Sequence, residues 1–193
     1  MSDSKPADQR EVVTTLLSRS GWVRGTLHVP ADATLSEFLE SGHEFLPLTK
    51  VRIESTEDEL PFFALHRSAV LFVMADPDEA SKSHKESPAV KEDHELVFLL
   101  DVGTIRGKLG VPPQLRLSDF LANPRHYLLV RDVRLKVRDP WTQVVTAHMQ
   151  PFVFLSVDAI VGISEPMERR IARLPTYAPP SYPPSARTPS TTR

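Results

Sequence analysis

The sequence contains no cysteine among its 193 residues. That absence excludes disulfide frameworks, thiol nucleophiles, zinc sites built on thiolate and thiolate-bound iron–sulfur clusters together, and it suits a reducing compartment. Glycine is scarce at seven residues, so a backbone cradle for phosphate has little to be built from. Neither a P-loop nor a G-x-G-x-x-G pattern occurs. No segment approaches the ~18 consecutive apolar residues of a membrane-spanning helix. The first ten residues are polar, with no apolar run of signal-peptide length. A cytoplasmic protein with no membrane partner is the expectation. The formal net charge of −2 and pI of about 6.4 argue against a generic, charge-driven grip on nucleic acid or anionic lipid.

Catalytic patterns are missing too. The seven histidines, His28, His43, His66, His84, His94, His126 and His148, form neither an i, i+4 pair nor an H-E-x-x-H run. His84 and His94 lie beside acids in a solvated stretch, which is weak ground for a metal. Ser36 and Ser118 stand at the starts of short helical patterns, where serine is a cap far more often than a nucleophile, and no G-x-S-x-G elbow accompanies them. The sequence therefore predicts a protein that is not an enzyme and holds no cofactor or metal.

What the sequence does contain is a repeat. Gly21–Ile53 lies over Gly103–Leu135 without a gap, at a constant offset of 82. Arg24-Gly25-Thr26-Leu27-His28-Val29-Pro30 meets Arg106-Gly107-Lys108-Leu109-Gly110-Val111-Pro112, and Leu35-Ser36-Glu37-Phe38-Leu39 meets Leu117-Ser118-Asp119-Phe120-Leu121. After a loop eight residues longer in the second copy, Pro61–Leu65 meets Pro151–Leu155 at an offset of 90. Two unrelated amphipathic segments would share hydrophobicity, but not glycine, proline, serine, arginine and acid at the same steps. Internal duplication accounts for all of them.

Periodicity gives each copy a shape. Val23, Leu27 and Val29 alternate with Arg24, Thr26 and His28, the pattern of a half-buried strand. Gly25 and Gly107 fall mid-strand, where glycine marks a bend or a close approach of backbones. Thr34-Leu35-Ser36-Glu37 has capping-box spacing. Leu35, Phe38 and Leu39, with Leu117, Phe120 and Leu121, give each short helix one apolar stripe. Arg116 replaces the capping threonine in the second copy. Further strands are expected over Val12–Leu17, Leu48–Glu54, Pro61–His66 and Ala69–Met74, and over Leu96–Leu100 in the second copy. The fold class that follows is mainly β with short helices. It comprises tandem duplicated modules, each β-β-α-β-β-β and each a small barrel or strongly bent sheet that hides its own edges. Phe62-Phe63 and Phe152-Val153-Phe154 alternate poorly, which implies a strand covered on both faces by the sister module or another subunit.

The repeated pattern G-x-L-x-V-P, L-S-D/E-F-L and V-R-I/L resembles an uncharacterised bacterial family of tandem small β-rich modules with no assigned function, a resemblance that covers both repeats but neither linker nor tail. The domain organisation expected is a disordered N-terminus over 1–10, β module 1 over 11–75, a charged flexible linker over 76–94, β module 2 over 95–165, and a helical turn with a disordered proline-rich tail over 166–193. Low hydrophobicity in the linker cannot repay the entropy of ordering it. In the tail, Pro180, Tyr182 and Pro183 have the P-x-x-P spacing that aromatic grooves recognise, a candidate partner motif.

Charge is divided unevenly. Residues 21–74 hold four Lys/Arg against eight Asp/Glu, a net of −4, and residues 103–164 hold eight against four, a net of +4. Arg106 with Lys108, and Arg134 with Lys136, occupy alternate strand positions, so a period of two collects them on one face as a candidate basic binding surface. Complementary potentials orient docking within or between chains. The expectation is a protein-interaction or scaffold protein made of two docked β repeats, with a protein partner or self-association. The rival, not favoured, is binding of single-stranded nucleic acid or an anionic ligand by the basic face of module 2. Arg24 and Arg52 repeat at Arg106 and Arg134, and a structural pairing with Glu37 and Asp119 is the preferred account of that repetition.

Overall fold

Alternating apolar residues build the first hairpin, in which β1 (Gln9–Ser18) pairs antiparallel with β2 (Gly21–Pro30). This is a computed structural model, and it describes residues 8–54, 56, 58–79, 91–123, 125–139 and 142–166. A short helix α1 (Leu35–Glu40) follows, then β3 (Phe45–Ile53), β4 (Leu60–His66), a 3-10 turn at Arg67–Ala69 and β5 (Val70–Ala75). The second half runs in the same order. It comprises β6 (Glu92–Leu100), β7 (Gly103–Val111), α2 (Leu117–Ala122), β8 (Tyr127–Arg138), β9 (Val145–Ser156), a 3-10 turn at Val157–Ala159 and β10 (Ile160–Ser164).

Among the described residues, all ten strands lie in one antiparallel sheet, in the order β10-β6-β7-β8-β9-β5-β1-β2-β3-β4. Closure of each half into a small barrel is not found: the sheet is open, ending at β4 on one side and β10 on the other. The reason lies in what β5 pairs with. Instead of returning to β4 of its own half, β5 pairs with β9 of the other, with Phe72 opposite Leu155 and Val73 opposite Phe154. The sister half covers the apolar surface that closure was expected to hide.

The expected alternation in β2 is present in Val23, Leu27 and Val29, which are buried, and in Arg24, which is exposed; it fails at Thr26, which is buried beside the bulge at Gly25. At Gly25 the ladder to β3 shifts register between Arg24 and Thr26, and at Gly107 the ladder to β8 shifts between Arg106 and Lys108. A bulge of this kind bends the sheet. A Cβ on Gly25 would stand 3.0 Å from Val51 Cγ2, and one on Gly107 would stand 2.6 Å from Val130 Cγ1 and 2.8 Å from the Arg131 carbonyl oxygen. Both glycines are therefore needed for close packing. Lys50 and Asp132, facing these bulges at the same offset of 82, both adopt positive φ (52° and 51°).

The capping box of α1 forms as the spacing predicts. Thr34 accepts from the Glu37 amide and the Glu37 carboxylate accepts from the Thr34 amide, at 3.2 and 2.8 Å. Hydrogen bonding to Thr34 holds the Glu37 carboxyl below its ordinary range. In α2 Arg116 provides no side-chain cap. Leu35 and Leu39 are buried under α1, whereas Phe120 alone is fully buried under α2.

Two strands begin inside segments expected to be unstructured. β1 starts at Gln9, within the stretch assigned to the N-terminus, and β6 starts at Glu92, within the stretch assigned to the linker. Charge did not prevent strand formation in β6 because cross-strand bases neutralise it: Glu95 lies opposite Lys108 and bonds Arg106, and Asp93 bonds Arg131. Linker residues 80–90 and the tail from 167 lie outside the described residues, as do Pro180, Tyr182 and Pro183.

Two cores flank the β5–β9 seam, and each is completed by the other half. Leu71 and Phe72 of β5, with Leu17 of β1, belong to the second-half core. Tyr127, Phe152 and Phe154 of β8 and β9 belong to the first-half core, beside Val70 and Val73. Phe152 and Phe154 of β9 are thus buried in the first-half core and Val153 and Leu155 in the second-half core, so this stretch is covered on both faces, as its poor alternation implies. β4 differs: Phe62 is 60% exposed, so its outer face is uncovered.

Candidate interaction surfaces

Three surfaces follow from this arrangement, and the first is the seam itself. Its ladder is two residue pairs long, so side chains provide most of its area. Phe152 and Phe154 meet edge to face at 5.6 Å, and Trp22 meets Phe72 in the same manner at 5.7 Å. Such contacts add to plain area burial. Glu40, at the end of α1, reaches across to the start of β8, where it accepts from the His126 amide at 2.9 Å and the Tyr127 amide at 2.7 Å. The carboxylate thereby satisfies two amides that the other half leaves unpaired at a strand entrance. The Tyr127 hydroxyl is buried without a hydrogen-bond partner among the described residues, and burial pushes its pKa up.

The second surface is a groove of about 550 Å³ on the first half, beside the free edge of β4. Its walls include His28, Phe38, His43, Phe45, Thr49 and Phe62. His28 Nε2 lies 2.8 Å from Thr49 Oγ1, and the Phe45 ring meets His66 edge to face at 5.0 Å. Phe45 and Phe62 are about half exposed or more. An apolar wall next to unpaired strand amides is the combination that receives an added strand: backbone bonds supply affinity and the side-chain wall supplies selection.

The third is the basic face of the second half. Arg106, Lys108 and Arg134 line one hollow of about 510 Å³ together with Glu95, Asp132 and Met149, and Lys136 is not among its lining residues. Two of the three cations are neutralised in place. Arg106 donates to Glu95 and Lys108 to Asp132, both at 2.8 Å. The bond from Arg106 holds the Glu95 carboxyl below its ordinary range, and that from Lys108 does the same for Asp132. Arg134 and Lys136 make no ion pair among the described residues. Arg134 lies directly opposite Arg106 on the neighbouring strand, as Arg52 lies opposite Arg24. Like charges in that position repel.

A smaller hollow of about 270 Å³ occupies the equivalent place in the first half, lined by Arg24, Thr26, Lys50, Arg52 and Glu59 among others. It too has three cations, so the contrast in net charge between residues 21–74 and 103–164 does not arise here, and once residues 92–102 are counted with the second half, residues 92–164 hold eight Lys/Arg against eight Asp/Glu. Pairing of the arginines with Glu37 and Asp119 is not found. Glu37 serves the helix cap, Arg52 bonds Glu59 at 3.2 Å, and Arg106 bonds Glu95.

Among the described residues, no group of three or more His, Asp or Glu side chains is placed to hold a metal ion, and no helix is long and apolar enough to cross a membrane. Compared with protein-family models, curated proteins and solved structures, the chain finds no match.

Proposed function

We propose that this chain is a non-enzymatic protein-interaction or scaffold module, built from two copies of one β unit and recognising its partner by strand addition at the β4 edge. The observation that carries the reading is the free edge of β4 lying against the apolar groove of Phe38, Phe45 and Phe62. An open edge that is also apolar is a liability that monomeric sheet proteins suppress with charge, bulges or cover. Its partner, on this reading, presents an extended apolar segment. Duplication of the unit is supported by the shared order of elements, the matching bulges and the matching positive φ angles.

Photo-crosslinking tests this. With a benzoylphenylalanine in place of Phe62 in the full chain, irradiation in cells is expected to yield a discrete protein adduct, and the same group in place of the exposed Leu115 is expected to yield none. Absence of any adduct from position 62 overturns the reading.

One observation favours a second reading, an anionic ligand at the basic hollow: a repelling pair of arginines is retained at the same place in both halves. Internal neutralisation by Glu95 and Asp132 weighs against it, as does the absence of aromatic side chains from the hollow's lining. Titration with a labelled oligothymidylate at two salt concentrations decides. Micromolar binding with a steep salt slope, abolished by Arg106→Glu with Arg134→Glu, would establish it.

A further inference from the structure

Where the seam of this chain is β5 against β9, its two free edges are the counterparts of those same strands. At the offset of 90, β4 corresponds to β9 and β10 corresponds to β5. We propose that the partner received at β4 is β10 of a second copy of this chain, so that copies join head to tail through a repetition of the internal seam. This rests on the proposed function and names its occupant.

The exposed side chains carry the inference. Four large apolar residues near the two free edges, Phe45, Phe62, Leu99 and Val161, are between 48 and 61% exposed. Their counterparts are Tyr127, Phe152, Leu17 and Leu71, all buried to 6% exposure or less. Each of those four buried residues reaches its burial by entering the core of the opposite half across the seam. The other face of each edge strand is already occupied: Phe63 and Leu65 pack on the first-half core, Ile160 and Ile163 on the second. What is left uncovered at the ends of the sheet is thus the set that the internal seam covers.

The internal pairing also fixes a register. Phe72 opposite Leu155 and Val73 opposite Phe154 translate to Gly162 opposite Leu65 and Ile163 opposite Ala64. Pro61 is no obstacle, because its counterpart Pro151 already stands in β9 beyond the two paired residues. Three differences make the external contact the weaker one. Gly162 stands where Phe72 stands, Ala64 stands where the buried Phe154 stands, and Ala122 stands where Glu40 clamps two amides. The association is therefore reversible and concentration-dependent, and being heterologous it grows into a ring or a filament unless capped.

Complementary edge variants provide the test. Phe62→Lys blocks β4 and leaves β10 intact, and Val161→Lys blocks β10 and leaves β4 intact. Both positions are exposed in the single chain, so both variants are expected to keep the wild-type circular dichroism spectrum and urea midpoint. Sedimentation equilibrium of the full chain should show association that either substitution weakens about 30-fold or more, the scale of a lost hot spot. A mixture of the two variants should stop at a species of twice the chain mass, because one intact β4 and one intact β10 remain. A wild-type chain that stays monomeric at several hundred micromolar overturns the proposal, as does association indifferent to both substitutions or a mixture without the dimer. A monomeric wild type that still gives an adduct of another mass from position 62 overturns only the second copy as partner and leaves strand addition at β4 standing.

Discussion

Replacing Phe152 and Phe62 by alanine, one at a time, separates a seam that completes a core from an edge that does not. The two residues occupy the same position in the two halves, yet Phe152 is 2% exposed and Phe62 is 60% exposed. Phe152 leaves its own half to pack in the first-half core, where its ring meets Phe154. Truncating a buried phenylalanine costs about 3–5 kcal/mol, from lost transfer free energy and from the cavity left behind. With a urea m-value of about 2 kcal/mol/M, that moves the midpoint down by about 2 M. Phe62→Ala removes a side chain that is mostly in water and should cost about 0.5 kcal/mol or less in the single chain. Urea titrations followed by tryptophan fluorescence and by circular dichroism, at a chain concentration low enough to prevent association, measure both. The two probes should give one coincident transition, since neither core is complete without the other half. Equal costs for the two substitutions, or a Phe152→Ala cost below about 1 kcal/mol, would refute the idea that the seam is part of the core.

Other perturbations address single features. Gly107→Ala forces a Cβ to within 2.6 Å of Val130 and should cost about 1–3 kcal/mol, more than Gly25→Ala, whose nearest contact is 3.0 Å; thermal melts compare them. Thr34→Ala removes the side-chain cap of α1 and should cost about 1 kcal/mol by urea midpoint, whereas Arg116→Thr should stabilise the uncapped α2. Glu40→Ala removes the acceptor for the His126 and Tyr127 amides, so hydrogen exchange at those two amides should quicken while exchange in β7 stays unchanged. The carboxyls of Glu95 and Asp132 have folded pKa values below their unfolded ones, so their contribution is present above the unfolded values and is lost as pH falls through the folded ones. Stability should therefore decline on acidification below about pH 4, the ordinary carboxylate range, and the decline should flatten in Arg106→Met with Lys108→Met, as read from urea midpoints against pH.

Local order was legible in the sequence because it is encoded locally. The capping box of Thr34 and Glu37, the bends at Gly25 and Gly107, and the alternation of Val23, Leu27 and Val29 depend on neighbours a few residues apart. The covered faces of β9 were legible too, since Phe152-Val153-Phe154 leaves no polar side for water. The seam was not, because side-chain patterns record which faces are buried and are silent on which backbone edges meet. That silence is why closure of each half was expected where pairing with the other half is found. The charged start of β6 read as linker because its neutralising partners, Arg106 and Arg131, are distant in sequence and adjacent only through register. The basic face was half legible. Periodicity brought Arg106, Lys108 and Arg134 together, but Glu95 and Asp132, which quench two of them, come from β6 and from a positive-φ position that no pattern marks.

A disulfide reports directly whether copies of this chain join through β4 and β10 in the register of their own seam. The native chain has no cysteine, so Ala64→Cys in one copy and Ile163→Cys in another supply the only thiols. Under mild oxidation the mixture should form the mixed dimer rapidly, and Ala64→Cys mixed with Val144→Cys, an exposed site outside the predicted contact, should not. Cross-linking of Ala64→Cys chiefly to itself, or equal yields with Val144→Cys, would contradict the account.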